Sequence, residues 1–304
     1  GKRSKFACPF HKWTYDNCGS LIAIPQEDHF GAIDKSCRGL VELPTCEKYG
    51  LLWVHPQPGS DLDVEMLLGG LASEIENWKF ERMNYVGETT IDMRLNWKLA
   101  NDTFGETYHF HKLHKDTVGR IFYGDALSYE SFQRNHRFVF PNRGIDRVRE
   151  QPRDEWRVTH GAVVIYYLFP NVHVALGRGN INLFRIYPHP KNTGRSITRV
   201  SHYFSDKLLE AKNQEGDDVP KLSPENVYDI DARYGALPTV EAQNEVIVST
   251  IAQEDYAMGA STQSAIENGL LDHVIFGRNE PALHHFHNTF RAALDMPQLQ
   301  EYAG

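Results

Sequence analysis

One segment of the sequence, Asn96 to His114, restricts the possible folds and functions more than any other. It reads NWKLANDTFGETYHFHKLH and contains one carboxylate and three imidazoles, Glu106, His109, His111 and His114. Apolar residues surround these groups, which favours a buried position, and ionisable side chains are seldom buried without a partner. Imidazole nitrogen and carboxylate oxygen together suit divalent iron, zinc or manganese. The segment therefore predicts a metal site; the alternative is a solvated helix face rich in histidine.

Composition narrows the classes of partner. The 304 residues are 41% hydrophobic and 24% charged, which is ordinary for a globular protein. The net charge is −8 and no run of Lys and Arg stands out. The composition therefore argues against nucleic acid or an anionic membrane as the main partner. The longest apolar run, Ala162 to Phe169, is too short to span a membrane, and no secretory signal is visible. We therefore predict a cytoplasmic location.

All four cysteines lie in the first part of the chain: Cys8, Cys18, Cys37 and Cys46. An even count is compatible with disulfides, but a local metal site in a reducing compartment is the better interpretation for a chain of this length. Cys8 and His11 form a C-x-x-H pair, which is half of a four-ligand site. Spacing alone leaves two alternatives open. One is a zinc site completed by Cys37 and Cys46, and the other is that Cys8 and His11 are merely neighbours and bind no metal.

The sequence CPFHKWTYDNCGSLIAIP, which begins at Cys8, resembles the second cluster-binding loop of a Rieske iron–sulfur domain. The resemblance implies that Cys8 and His11 bind a [2Fe–2S] cluster, in which two Cys bind one iron and two His bind the other. Lys12 stands where the family usually has Gly. The family's first loop, a Cys-x-His upstream, is not in this sequence, so we expect the sequence to begin inside the Rieske domain with two ligands missing.

The pattern Glu106-x2-His109-x4-His114, preceded by NWK, resembles the mononuclear-iron motif of the large subunits of Rieske non-heme iron oxygenases. The resemblance implies that Asp255, in STIAQEDYAMGASTQ, completes a 2-His-1-carboxylate triad with open positions for dioxygen. Helical periodicity alone instead pairs His111 with His114. The resemblance therefore requires a bulge or break in the helix between the ligands. A cupin-like strand pair of His109 and His111 is another metal-binding alternative.

The resemblance also implies roles for neighbouring residues. Glu106 stands where the family usually has Asp, which joins an iron-ligand His to a Rieske His of the neighbouring subunit and provides a route for electrons. Glu at this position occurs in some relatives that oxidise quaternary amines. Thr103 matches the usual Asn of the family, and Phe104 and His111 are predicted in the pocket or behind the ligands. An ordinary salt bridge of Glu106 with Lys112 is the alternative from the residues alone.

Patterning predicts an α+β fold in two domains. Residues 1–57 read as short strands between turns, the C-terminal part of an all-β Rieske domain, and residues 58–304 as the catalytic domain. The predicted strands lie at Val86–Arg94, Ala162–Phe169, Val172–Leu176, Ile181–Tyr187 and Ser196–Phe204. The predicted helices lie at Glu65–Ile75, Asp206–Asn213, Pro224–Tyr234, Val240–Asn268 and Glu280–Leu294. The catalytic domain is therefore predicted to be an antiparallel sheet covered by helices, an arrangement that is helix-grip-like.

Three further segments carry predictions. Thr117 to Arg153, rich in Arg and Asp, is predicted to form long active-site loops. Four aromatic residues are predicted to belong to the core of the sheet rather than to a substrate box: Tyr166, Tyr167, Phe169 and Phe184. His284 and His287 share a predicted helix face, and we expect them to pack against the rest of the protein rather than bind a metal.

These features together predict the terminal oxygenase α subunit of a Rieske system, which inserts oxygen into an aromatic substrate as a cis-diol or a single hydroxyl. The implied cofactors are a [2Fe–2S] cluster and mononuclear Fe(II); NAD(P)H acts only through a separate flavin reductase, with or without a ferredoxin. We expect a homotrimer, with or without a small β subunit. The alternatives are a quaternary-amine monooxygenase and a non-catalytic metal-binding or electron-transfer protein.

Overall fold

The structure is a computed structural model that describes residues 3–213, 221–229 and 237–301. The chain divides into two units, Gly1–Leu67 and Leu68–Gly304, and each is described by itself. The domain boundary that the sequence predicts between residues 57 and 58 stays a prediction. No helix in the described ranges is long and apolar enough to cross a membrane.

The N-terminal unit is built from short antiparallel strands, as predicted. Its strands are β1 (Lys5–Ala7), β2 (Thr14–Asp16), β3 (Leu21–Ala23), β4 (Thr45–Lys48) and β5 (Leu51–Val54). The first three form one sheet in the order β1-β2-β3, and the last two form a hairpin. Tyr49 and Gly50, the two turn residues of this hairpin, both have positive φ, of 57° and 71°. Such a turn matches the twist of the strands it joins.

The C-terminal unit contains a seven-stranded sheet that is antiparallel throughout. Its strands are β6 (Asn84–Met93), β7 (Ser128–Phe132), β8 (Asn135–Pro141), β9 (Ala162–Leu168), β10 (Val172–Leu176), β11 (Asn180–His189) and β12 (Asn192–Phe204). Their order across the sheet is β6-β12-β11-β10-β9-β8-β7. The predicted meander from β9 to β12 is therefore confirmed. A short parallel pair, β13 (Lys221–Leu222) and β14 (Leu237–Pro238), lies apart from it.

The α-helices are short, apart from those near the C-terminus. They are α1 (Val64–Leu68), α2 (Leu71–Asn77), α3 (Trp97–Asp102), α4 (Ile145–Val148), α5 (Val158–Gly161), α6 (Asp206–Asn213), α7 (Val240–Val246), α8 (Tyr256–Glu267) and α9 (Pro281–Ala293). A π-helix, Ile247–Asp255, joins α7 to α8 without interruption. Single 3-10 turns occur at Glu27–Phe30, Lys35–Cys37, Phe80–Arg82, Val118–Arg120 and Arg153–Glu155.

The structure corrects three of the predicted elements. The predicted loop region from Thr117 to Arg153 contains β7 and β8, because the many polar residues there hide the alternation of buried His136, Phe138 and Phe140 along β8. The single helix predicted near Glu65–Ile75 is two helices, since Gly69 has a φ of 56° and breaks it. Residues 224–228 of the helix predicted near Pro224–Tyr234 form turns, and residues 230–234 lie outside the described residues.

The main core lies between the sheet and the helices that cover one of its faces. It combines sheet residues with residues of α3, the π-helix and α8: Ile91, Leu95, Ala100, Phe184, Ile186, Val200, Ile247, Ile251 and Tyr256. A second cluster joins β8 and β9 to α9 through Phe138, Phe140, Ile165 and Ala282. Of the four aromatic residues predicted in the core of the sheet, Tyr166, Tyr167 and Phe184 are buried, and Phe169 is half-buried.

Replacing Leu95 by Ala tests this core. Leu95 has no exposed surface, and Gly259 of α8 approaches it so closely that an added Cβ would lie 2.6 Å from Leu95 Cδ1. We expect Leu95→Ala to lower the free energy of unfolding by about 2 to 5 kcal/mol in denaturant titrations, because a cavity would remain. Leu270→Ala, at a position 80% exposed, is the control. Equal effects of the two substitutions would contradict this description of the core.

Candidate metal centre

Three predicted ligands, two from one segment and the third from a distant helix, meet in the C-terminal unit. His109 Nε2 lies 3.0 Å from His114 Nε2, and Asp255 Oδ1 lies 3.3 Å from the first nitrogen and 3.1 Å from the second. His114 and Asp255 are buried and His109 is half-buried. Within residues 3–213, 221–229 and 237–301, this is the one group of three or more His, Cys, Asp or Glu side chains whose donor atoms come close enough together for one metal ion.

The spacing of the three donor atoms fits a divalent metal with open positions. Bonds of about 2.1 Å place two donors about 3.0 Å apart at a right angle and about 3.4 Å apart at a tetrahedral angle. The observed separations run from 3.0 to 3.3 Å. On average they are closer to the right-angle value, which three adjacent corners of an octahedron have, than to the tetrahedral value. Two imidazoles and one carboxylate are the donor set that non-heme Fe(II) oxygenases use. The residues present therefore fit mononuclear iron.

The chain reaches this geometry because helix α3 ends at Asp102, before the first ligand. Residues 103–117 form irregular turns, in which the Leu113 amide donates to the carbonyl of His109 over 2.9 Å. The break required by the resemblance is therefore present, and it lets His109 and His114 face each other. Gly119 closes the segment: its amide donates to the His114 carbonyl over 2.8 Å, and an added Cβ would lie only 2.5 Å from that oxygen.

The third ligand comes from the last residue of the π-helix. Asp255 ends the nine-residue π-helix, and the next residue, Tyr256, is bonded through its hydroxyl to the Thr198 hydroxyl over 2.7 Å in the core. The neighbouring side chain, Glu254, faces the same imidazole as Asp255. π-Helical turns occur frequently at functional sites. Here the π-helix directs two consecutive carboxylates at His114.

Each ligand imidazole has a carboxylate on its other nitrogen. Glu106 is hydrogen-bonded to His109 Nδ1 and accepts from the backbone amides of Tyr108 and His109. Glu254 Oε2 lies 2.6 Å from His114 Nδ1 and accepts from the Thr117 hydroxyl over 3.0 Å. Such carboxylates fix the tautomer, so that the Nε2 lone pair faces the metal. Glu106 therefore pairs with His109 and not with Lys112, the alternative partner.

Glu254 is a residue whose role sequence reasoning missed. Its only signal is its position immediately before the carboxylate ligand, and on an ordinary α-helix consecutive side chains point in different directions. Periodicity therefore could not assign Glu254 to His114. The π-helix is the feature that brings both carboxylates to one imidazole.

The carboxylates raise the pKa of both imidazoles in the metal-free protein. Burial lowers the pKa of His109, but hydrogen bonds and charges from Asp255 and Glu106 outweigh burial and raise this pKa to about 9. The pKa of His114 is also raised: burial lowers it, and Asp255 and Glu254 more than compensate. An imidazolium cannot bind a metal, so binding must displace a proton.

A cavity of about 800 Å³ opens beside the three ligands. Glu106, Thr103 and Phe104 are among the residues that line it. Six phenylalanines also line the cavity, and we call them the phenylalanine chamber: Phe104, Phe110, Phe122, Phe138, Phe140 and Phe184. Their rings meet mostly edge to face or tilted, with centroids 5.1 to 6.2 Å apart. Phe184 thus belongs both to the core and to the cavity.

The histidines outside the triad differ in how they match their predictions. His111, expected in the pocket or behind the ligands, is exposed and lies against Gly124 rather than in the cavity wall, because the turns after Phe104 direct it outward. His287 packs as expected, stacked on Phe276 at 4.8 Å, but it also has a carboxylate partner that the sequence did not reveal. Its Nε2 lies 2.8 Å from Asp102 Oδ1.

Cys8 and His11 lie in a tight loop of the N-terminal unit. The Cys8 amide donates to the Trp13 carbonyl over 2.8 Å, and the Lys12 amide donates to the Cys8 carbonyl over 2.9 Å. Lys12 has a φ of 62°, a conformation that Gly adopts most easily, which explains the Gly that Rieske loops usually have here. Cys8 and His11 are both exposed. The loop geometry fits one thiolate and one imidazole of a Rieske centre.

This loop accounts for only half of the ligands of a Rieske cluster. In the described part of the N-terminal unit, no third Cys, His, Asp or Glu joins Cys8 and His11 in a metal-binding group. Cys37 and Cys46 are free thiols, so the alternative zinc site is not assembled. The described residues of this chain therefore supply two of the four ligands of a [2Fe–2S] site.

Comparison with known families agrees with this geometry. Residues 80–296 match the catalytic domain of the ring hydroxylating alpha subunit, and residues 1–45 match the Rieske [2Fe-2S] domain. The chain therefore belongs to the family of Rieske ring-hydroxylating oxygenase α subunits. The family uses a Rieske cluster and a mononuclear iron as its cofactors, and its members are oxidoreductases.

Individual relatives fall into two groups. The chain is 22% identical to the chloroplastic choline monooxygenase of Spinacia oleracea over 70% of this chain and 48% of the relative. It is 26% identical to the anthranilate 1,2-dioxygenase large subunit of Acinetobacter baylyi over 40% of this chain and 27% of the relative. The chain thus spans about half or less of the length of these curated relatives.

Solved structures show the same fold. A quaternary ammonium Rieske monooxygenase superposes with a TM-score of 0.68 at 15% identity, over 96% of this chain and 72% of the other. Naphthalene 1,2-dioxygenase superposes with a TM-score of 0.59 at 14% identity, over 98% of this chain and 75% of the other. The antiparallel sheet covered by helices is therefore the fold of this family.

Replacing Glu254 by Gln tests its contact with His114. We expect Glu254→Gln to weaken Co(II) binding by about 10- to 100-fold in spectroscopic titrations, because the imidazole loses its anionic partner. Glu267→Gln is the matched control, since Glu267 lies on the next helix and bonds Arg94 instead. Affinities that stay equal in all three proteins would contradict the assigned role.

The raised pKa of His109 predicts a pH dependence of metal binding. Because this pKa rises from its ordinary value of 6.5 to about 9, we expect Co(II) affinity to increase as the pH rises to 9 and then to level off. The same shift stabilises the metal-free protein fully below pH 6.5, and this stabilisation is lost as the pH rises through about 9. Titrations from pH 6 to 10 measure both, and Glu106→Gln should flatten the dependence. An affinity independent of pH would refute this account.

Proposed function

We propose that this chain is the terminal oxygenase component of a Rieske system, and that it oxygenates a small organic substrate at the centre of His109, His114 and Asp255. The observation that carries the proposal is the spacing of these three donor atoms, 3.0 to 3.3 Å, at the wall of a cavity of about 800 Å³. Iron(II) bound there supplies open positions for dioxygen and the redox chemistry.

The chain's own residues orient the ligands and shape the cavity. Glu106 and Glu254 hold the Nδ1–H tautomers of their imidazoles, which leaves both Nε2 atoms free to act as ligands. The phenylalanine chamber makes part of the cavity wall apolar. In this proposal the protein provides ligation, orientation and an apolar surface for the substrate.

An aromatic compound is our first choice of substrate, because the phenylalanine chamber offers edge-to-face contacts to a ring. A quaternary amine is the second candidate, and two observations favour it. Glu106 replaces the usual Asp, and several relatives are monooxygenases of choline, glycine betaine or carnitine. Phenylalanine faces can also attract such a cation.

The remaining parts of the proposal concern electrons and assembly. We propose that a separate NAD(P)H-dependent flavin reductase, with or without a ferredoxin, provides electrons through a Rieske cluster that Cys8 and His11 help to bind. The chain is proposed to act as a homotrimer, in which Glu106 of one subunit connects His109 to a Rieske His of its neighbour. Residues 1–57 and 58–304 are the proposed limits of the Rieske and catalytic domains.

Replacing Asp255 by Ala tests the centre itself. We expect Asp255→Ala to lose mononuclear iron and to abolish incorporation of ¹⁸O from labelled dioxygen into product, because two imidazoles alone bind Fe(II) weakly. The measurements are iron analysis, EPR of the nitric oxide adduct of the Fe(II) protein, and mass spectrometry of products with full-length protein and its reductase. Asp272→Ala, at an exposed position, is the control.

The outcomes separate the oxygenase from a non-catalytic protein. Iron that is lost only in Asp255→Ala, together with ¹⁸O in the product of the native protein, supports the oxygenase. Zinc in place of iron in the native protein, or labelled product from Asp255→Ala, would overturn the proposal.

A further inference from the structure

The wall of the cavity changes character away from the metal centre. Beyond the phenylalanine chamber it carries guanidinium groups, carboxylates and polar side chains from α4, α5 and the β10–β11 hairpin. The charged and titratable residues of this polar end are Arg143, Arg147, Arg178, Asp146, Glu155 and His160. Guanidinium groups outnumber carboxylates there, whereas the carboxylates Glu106 and Asp255 lie at the metal end. The polar end of the cavity therefore carries more guanidinium groups than carboxylates.

Contacts within the protein already engage part of this charge. Asp146 accepts from the Tyr123 hydroxyl over 2.5 Å, and Arg149 lies 3.8 Å away from it. Arg143 donates from Nε to the Arg120 carbonyl over 2.9 Å and places its guanidinium 4.7 Å from the centre of the Tyr123 ring. Asp146 is therefore engaged by Tyr123 and Arg149, and Arg143 is held in place by a neutral carbonyl and a ring.

Arg178 is the guanidinium best placed to bind a ligand. It stands at the tip of the β10–β11 hairpin, where the Gly177 amide donates to the Asn180 carbonyl over 3.0 Å. Gly179 takes a φ of 81°, which a two-residue turn of this kind requires. The backbone is therefore fixed, and within the described residues the Arg178 side chain makes no hydrogen bond or ion pair, yet it lines the cavity.

The electrostatic surroundings of His160 agree with a cationic end. Burial lowers the pKa of His160, and the charges of Arg178, Arg157 and Lys207 lower it further. Three separate elements, α5, the β10–β11 hairpin and α6, thus contribute positive charge near this imidazole. Asp146 and Glu155 are the carboxylates that line the same end of the cavity, and Asp146 is already paired.

We infer that the polar end of the cavity binds the carboxylate of an anionic or zwitterionic substrate through Arg178, with the apolar part of that substrate in the phenylalanine chamber. A guanidinium offers two parallel N–H donors that match a carboxylate, and Arg178 is exposed, so these donors are open to a ligand. The inference rests on the proposed function and narrows its substrates to aromatic acids and betaines; a quaternary amine without an acid group would not qualify.

Binding measurements with matched probes test this inference without turnover. The probes are 3-phenylpropionate and γ-butyrobetaine, each against its neutralised counterpart, 3-phenylpropionamide and the amide of γ-butyrobetaine. Isothermal titration calorimetry with full-length protein gives the affinities. We expect each carboxylate probe that fits to bind at least about tenfold more tightly than its amide, because a charged hydrogen bond is lost in the amide. The two probe pairs also distinguish an aromatic acid from a betaine.

Three variants connect the preference to Arg178. Arg178→Gln should remove the preference for the carboxylate and leave the affinity of the amide unchanged, and Arg178→Lys should retain only part of the preference. Arg157→Gln is the matched control, because Arg157 is near His160 but outside the cavity wall, where it bonds the carbonyls of Asp154 and Trp156. The Arg157→Gln variant should prefer the carboxylate probe over its amide as strongly as the native protein does.

The outcomes decide the inference separately from the oxygenase activity. A carboxylate preference that disappears only in Arg178→Gln supports it, even if no oxygenation is found. Equal binding of acids and amides to the native protein, or equal losses in Arg178→Gln and Arg157→Gln, would overturn it, even if ¹⁸O incorporation into another substrate establishes the oxygenase.

Discussion

The contact of one imidazole with two consecutive carboxylates is the interaction on which the site depends. Glu254 holds His114 Nδ1 at 2.6 Å while Asp255 lies 3.1 Å from its Nε2. Both carboxylates come from the π-helix. This one element therefore positions the ligand Asp255 and, through Glu254, also orients the ligand His114. The π-helix therefore supplies both carboxylate contacts of His114.

The sheet and its core hold this helix in position. Ile247 and Ile251 of the π-helix pack with Ile186 and Val200 of the sheet, and the residue after Asp255 is bonded to Thr198. The ligand segment between α3 and Val118 has no regular structure of its own, and close backbone packing at Gly119 replaces helical hydrogen bonds there. Irregular ligand loops on a rigid sheet are a common arrangement for metal sites, because the sheet limits the motion of the loops.

The cavity combines two kinds of recognition in one space. Rings of the phenylalanine chamber provide apolar contact near the ligands, and Arg178 provides an unpaired charge at the other end. The relatives with printed substrate names include quaternary amines and benzoate-type aromatics, so the family fold itself does not choose between them. The choice lies in side chains that line the wall, which agrees with the general observation that function resides in sites carried by a fold.

Local patterns were enough to predict several parts of this protein, because such patterns report local structure. The alternating runs predicted the β9 to β12 meander, and the motif around His109, through its family resemblance, predicted the ligand segment. The other features depend on tertiary contacts. Phe138 and Phe140 of β8 are buried against Ile165 and Ala282. Glu254 contacts His114 from a π-helix, and His111 is exposed because the chain turns after Phe104. Pairing across the sheet and changes of helical pitch depend on distant residues, so no local pattern encodes them.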